Sequence, residues 1–141
     1  MEHRTFYHEI LTEHNLHPGH KGALCRPDKV LEGVNPSCGD DIFLQLKLEG
    51  NRIADGAFRG EGCAVSQASA DMMLDLVIGR TREEALDLAA LFQKMIRGEA
   101  AGEELELLEE AAVLQDIAHM PARVKCAVLG WRTLEEMLRS E

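Results

Sequence analysis

The abrupt change of hydrophobic period at Gly62 constrains this chain more than any other feature. Before it, Ile42, Leu44, Leu46 and Leu48 alternate with Phe43, Gln45 and Lys47, the period of two that marks a half-buried strand. Gly50-Asn51 turns the chain into IADGAFRGEG, a second strand whose short connection predicts an antiparallel hairpin. After Gly62, Val65, Ala68, Met72, Met73, Leu76 and Val77 share one helical stripe that stops at Gly79. Cys63 therefore falls at or near a helix N-terminus.

The remaining segments are arranged around that junction. Phe6, Ile10 and Leu11 recur at helical spacing between Thr5 and about Asn15, ahead of the Pro18-Gly19 breaker. The stretch from Leu16 to Asp40 reads as an irregular connection, with room for a short strand near Lys29–Glu32. Thr81-Arg82-Glu83-Glu84 fits a capping box opening a helix that runs to Gly98, with Ala85, Leu88, Leu91, Phe92 and Met95 facing the core. From Glu99 to Met120 there is no Lys or Arg, and Glu103, Glu104, Glu106, Glu109, Glu110 and Asp116 surround apolar residues as in an acidic amphipathic helix. Its simplest role is a solvated outer face, and its functional alternative is to steer a basic partner. Pro121 opens the last helix, through Val124, Ala127, Val128, Trp131, Leu134 and Leu138. Strands cluster early and helices late, which predicts an α+β fold: a small antiparallel sheet of about three strands packed against several helices.

At 141 residues the chain has the usual size of one domain, and residues 1–141 are read as one. A formal net charge of −10 argues against nucleic acid, whose phosphates are bound by clustered Lys and Arg. No run approaches the roughly 18–20 apolar residues that span a bilayer, and MEHRTFYHEI lacks the hydrophobic stretch of a signal peptide. The expected location is the cytoplasm, where cysteines are thiols available to metals or chemistry.

Three cysteines stand where a site could use them. Cys38 lies in a Pro-Ser-Cys-Gly-Asp loop, Cys63 at a strand-to-helix junction and Cys126 early in the last helix. Helix N-termini favour the thiolate, the form that binds metal and attacks sulfur. Gly39 lets Cys38 and Asp40 turn toward one ion, and three sulfurs with one carboxylate suit tetrahedral zinc. The plainer reading is that each cysteine is a small core hydrophobe, and the chain has no C-x-x-C pair of zinc-finger spacing.

The string NPSCGDDIFLQLKLEGNRIADGAFRGEGCAVSQASADMM resembles the central block of the IscU/SufU family, which is NifU N-terminal-like. ARVKCAVLGW resembles the last cysteine segment of its SufU branch. The resemblance runs from about Tyr7 to Leu138. It implies that Cys38, Asp40, Cys63 and Cys126 are metal ligands, with Arg123 a basic neighbour. Scaffold members usually carry His where this chain has Lys125, and the insertion at roughly 99–116 is similar to the SufU branch. Both features imply a zinc-dependent sulfurtransferase that accepts persulfide sulfur from a SufS-type cysteine desulfurase and stimulates it. Downstream iron–sulfur assembly proteins are the implied further partners. The alternative is a scaffold that assembles a [2Fe–2S] cluster on the same ligands. Cys38 is the expected acceptor, because its glycine-flanked loop can move while helix-borne Cys63 and Cys126 stay in place.

Other ligating side chains read as bystanders. Cys25 has no matching ligand position, and His119 lies seven residues before Cys126. His3, His8, His14, His17 and His20 crowd the first twenty residues, where packing or solvated roles are expected beside adventitious metal binding. Met72, Met73 and Met95 fall on apolar helix faces and read as core.

Overall fold

The alternating segment that begins at Asp40 becomes the middle strand of an antiparallel sheet. The computed structural model describes the backbone of residues 2–36 and 39–139, with side chains from Glu9 onward. In chain order its elements are α1 (Glu2–Leu16), β1 (Lys29–Asn35), β2 (Asp40–Glu49), β3 (Arg52–Glu61), α2 (Ala64–Val77), α3 (Arg82–Ile96), a single turn α4 (Gly102–Leu105), a 3₁₀ segment (Glu106–Ile117) and α5 (Pro121–Arg139). The three strands are ordered β1-β2-β3. This is the α+β architecture expected from the sequence.

Register follows from which side chains must be dry. Ile42, Leu44 and Leu46 are at most 1% exposed, each burial being worth roughly 1.5–3 kcal/mol. Leu44 pairs with Leu31 on one side and Phe58 on the other. Gln45, on the opposite face, is also buried, because the loop before β1 crosses there and the Leu24 N–H donates to its Oε1 at 2.9 Å. β1 is longer than the short strand expected from the sequence, extending to Asn35, which pairs with Asp40 across the hairpin end.

Helix α2 lies at the centre of the helical layer, with Met72, Met73, Leu74 and Val77 at 2% exposure or less. Its register against α5 is held by a buried polar relay. Trp131 Nε1–H donates to Ser69 Oγ at 3.2 Å, and that hydroxyl donates to the Ala127 carbonyl at 2.7 Å. Gly130 of α5 faces Ala70 of α2, where a Cβ would sit 3.4 Å from the Ala70 side chain, an ordinary packing distance. Trp131 also stacks on Phe92 of α3, with ring centroids 4.6 Å apart. The capping box read at Thr81 forms: Glu84 N–H donates to Thr81 Oγ1 at 3.1 Å, and Thr81 N–H donates to Glu84 Oε1 at 2.9 Å.

The acidic segment corrects the sequence reading. It is not one amphipathic α-helix. The single turn of α4 passes into 3₁₀ geometry, broken at Glu109 with φ 50° and ψ −128°. The buried positions Leu108, Ala111, Leu114 and Ile117 are spaced by three, the period of a 3₁₀ helix.

Candidate metal centre

Asp40 begins β2, Cys63 caps α2 and Cys126 sits in the second turn of α5. The paths of these three elements bring one donor atom from each residue to within 4.8 Å of the other two. Asp40 and Cys126 are buried and Cys63 is half-buried. Cys38, the fourth candidate ligand, lies outside the described residues. Its neighbour Gly39 has φ 75°, and the Gly39 N–H closes the hairpin on Asn35 O at 3.0 Å.

Backbone geometry aims these groups. Asp40 is 1% exposed, and its Oδ1 accepts the Cys63 N–H at 2.8 Å, leaving Oδ2 4.0 Å from Cys63 Sγ. Cys63 Sγ is itself the N-cap acceptor of α2, taking the Ser66 N–H at 3.5 Å. A thiolate gains most from this position, because the first N–H groups of a helix have no internal partner. Cys126 lacks that advantage, because it lies past the orphan N–H groups of α5. Gly62 leaves the room these contacts need, since a Cβ there would lie 2.5 Å from Ser66 Oγ and 2.9 Å from Asp40 Oδ1.

The donor set fits a tetrahedral ion. Ligands at zinc bond lengths place their donor atoms about 3.5 Å apart, so the separations observed need close by only about an ångström. Two sulfurs and a carboxylate suit zinc, and thiolate-rich sets also suit iron–sulfur clusters.

Arg123 and Lys125 are exposed on the first turns of α5. Lys125 lines a groove of about 420 Å³ between β1 and α5, together with Asn35, Pro36, Glu32, Arg132 and Glu136. Glu32 shares a hydrogen bond with Asp41, and this bond, with the Asp41 charge behind it, holds the Glu32 carboxyl above its usual range. Cys25 is exposed, whereas Met72, Met73 and Met95 are core. His14, read as a packing residue, is buried and ion-paired with Asp71 and Glu110. Sequence reasoning gave no sign of that pairing, since its partners lie 57 and 96 positions away.

Residues 6–127 match the NifU-like N terminal domain family. The zinc-dependent sulfurtransferase SufU of Bacillus subtilis (strain 168) is 38% identical over 137 residues, covering 97% of this chain and 92% of that protein. The iron–sulfur cluster assembly scaffold protein IscU of Streptococcus pyogenes serotype M1 is 41% identical over 133 residues, covering 94% of this chain and 82% of that protein. Among solved structures, a protein described as an iron–sulfur cluster assembly scaffold for the SUF system of Fervidobacterium islandicum AW-1 superposes with a TM-score of 0.88 at 36% identity, covering 96% of this chain and 98% of that one.

Proposed function

The chain belongs to the NifU-like N terminal domain family, and on that premise we propose that it is a zinc-dependent sulfurtransferase. It accepts persulfide sulfur from a SufS-type cysteine desulfurase, and stimulates that enzyme, in cytoplasmic iron–sulfur cluster assembly. The observation that carries this reading is the convergence of two sulfurs and one buried carboxylate, from three different elements, within 4.8 Å. The 38% identity with a zinc-dependent sulfurtransferase over 97% of the chain supports it, as does Lys125 in place of the usual scaffold histidine.

Asp40, Cys63 and Cys126 hold the zinc in this proposal, with Cys38 as fourth ligand. When bound, zinc supplies a redox-inert positive charge that keeps thiolates deprotonated at neutral pH. The protein's own part is to orient. The Cys63 N–H fixes the Asp40 carboxylate, and the Ser66 N–H steadies the Cys63 sulfur. Cys38 is the acceptor. Its thiolate attacks the outer sulfur of the desulfurase persulfide; a new S–S bond forms on Cys38, the desulfurase S–S bond breaks, and the desulfurase cysteine leaves as thiolate. Lys125 and Arg123, exposed on α5, supply positive charge near the transfer, and the groove beside Lys125 gives the partner a concave surface. The exposed Glu103, Glu106, Glu109 and Glu110 steer a basic partner surface, so rising ionic strength weakens the association.

The second reading, a scaffold for a [2Fe–2S] cluster, is favoured by the same ligands and by the 41% identity with a protein named as a scaffold. Alanine release from cysteine by a SufS-type desulfurase tests the choice. Strong stimulation by this protein, lost in Cys38→Ala, is the expected result. No stimulation, or full stimulation by Cys38→Ala, overturns the sulfurtransferase reading or the role of Cys38 respectively.

A further inference from the structure

A second group of ligating side chains lies where α1, α2 and the 3₁₀ segment meet, and beyond the long-range charge of Glu110 the proposed sulfur transfer does not use it. His14, on α1, is 8% exposed and is gripped from both ring nitrogens: Nδ1 is 2.6 Å from Asp71 Oδ2, and Nε2 is 2.7 Å from Glu110 Oε1. Asp71, on α2, is 1% exposed and is oriented by backbone. Its Oδ1 accepts the His20 N–H at 2.8 Å, and its Oδ2 accepts the Gly19 N–H at 3.3 Å. A carboxylate held this way is an acceptor, so the proton on that side of the ring belongs to Nδ1. Nε2 is the nitrogen left to carry either a proton or a metal ion.

What Nε2 faces decides between these. Donor atoms of His14, Asp75 and Glu110 lie within 4.8 Å of one another. A second imidazole is adjacent, with His20 Nε2 2.7 Å from Asp75 Oδ1. Asp75, Glu110 and Glu109 also line an open cavity of about 290 Å³ floored by Met72, Leu76 and Leu108, so a hydrated ion can reach them. Metal-bound histidines characteristically donate their other N–H to a carboxylate, which sets the tautomer and raises ligand basicity. The Asp71–His14 pair already has that form.

We propose that His14 Nε2, Asp75 and Glu110 form a second, sulfur-free site for a divalent first-row metal ion, with Asp71 orienting His14 and His20 available as a further nitrogen ligand. On binding, the ion takes the place of the His14 Nε2 proton, which leaves to solvent, between the imidazole and the Asp75 and Glu110 carboxylates. Imidazole with carboxylate is a borderline set that suits zinc, cobalt or nickel rather than copper(I) or an iron–sulfur cluster. Occupied, the site ties the 3₁₀ segment to α1 and α2.

Cobalt(II) titration of the full-length protein, followed by calorimetry and visible absorption, tests this independently of sulfur transfer. A thiolate site shows intense sulfur-to-cobalt charge transfer, whereas the site proposed here adds an equivalent with only weak d–d bands. That equivalent is expected in the wild type and is lost in Asp75→Asn/Glu110→Gln, whose substituted side chains are about half exposed (52% and 58%) and leave the fold, checked by circular dichroism, intact. Asp71→Asn weakens it by roughly 10- to 100-fold, the usual cost of losing an outer-shell partner. Absence of a sulfur-free equivalent, or one that persists in the double variant because other N-terminal histidines hold it, overturns the proposal.

Discussion

Two clusters of ligating side chains, one around Cys63 and one around His14, differ in what keeps them ready. Around Cys63 the groups are two sulfurs and a carboxylate, largely buried, and backbone N–H groups aim them: Cys63 N–H on Asp40, Ser66 N–H on Cys63. Around His14 the groups are nitrogen and oxygen, half of them exposed, and they hold one another through ion pairs. A backbone-aimed thiolate site gains little by staying empty, whereas an ion-paired imidazole already has favourable partners that a metal ion must displace. The contrast teaches that proximity of ligands is common to both, and that the competing occupant sets affinity. For the first it is the thiol proton, and for the second the pairing of His14 with Asp71 and Glu110.

The largest effect should come from the first cluster. Cys126→Ser removes a soft ligand outright, so zinc affinity should fall by more than the roughly 100-fold upper cost of an outer-shell change, read by competition with a chelator. The same substitution should leave the cobalt equivalent at His14 in place; loss of both would mean that the clusters are coupled. Next is the relay that aligns α2 with α5. Trp131→Ala should cost about 3–5 kcal/mol in urea unfolding, and Ser69→Ala about 1–3 kcal/mol, because it strands the buried Trp131 N–H. If Ser69→Ala leaves zinc affinity unchanged while lowering stability, then the approach of Cys63 to Cys126 does not depend on that register.

Smaller effects sharpen the view of the second cluster. Glu109 holds φ 50°, a region that disfavours L side chains, so Glu109→Gly should stabilise the protein by about 1 kcal/mol after the entropy lost by glycine is subtracted. Thermal unfolding checks this. The smallest effect is a pH dependence. Burial pulls the His14 pKa down, but the hydrogen bonds its ring donates to Asp71 and Glu110, reinforced by their charges, outweigh it and raise the pKa above 6.5. The contribution of the imidazolium is therefore complete below about 6.5 and is lost as pH climbs through the raised folded value. The groups facing it are Asp71 and Asp75 of α2, Glu110 of the 3₁₀ segment and His20 of the loop after α1. Chelator-treated protein should lose urea stability across that window, and His14→Gln should flatten the curve; parallel curves would remove His14 as the cause.

Legibility in the sequence followed the range of the interaction. The β2 alternation, the period change at Gly62, the Thr81–Glu84 box and the Pro121 start are local signals, and each element formed where they placed it. β1 reached Asn35 because pairing with β2 carries it there, although Gly33 and the exposed Val30 and Val34 give it little alternation of its own. The 3₁₀ segment was misread because spacings of three also occur on α-helical faces, and only the repetition through Leu108, Ala111, Leu114 and Ile117 separates the two. At the site, the helix-capping place of Cys63 was visible in the residues themselves. Its meeting with Cys126 depends on α2–α5 packing across more than sixty positions, which no spacing reports. That grouping came from family resemblance, and the His14 cluster, with neither motif nor resemblance behind it, was out of reach.

The central claim is that Asp40, Cys63 and Cys126, with Cys38, hold zinc for sulfur transfer. Metal and acid-labile sulfide in the protein purified without oxygen test it most directly. The account predicts about one zinc per chain, no sulfide and no visible chromophore. Iron and sulfide in equal amounts, with a brown chromophore lost in Cys63→Ser, would contradict it and make the same ligands the seat of a cluster.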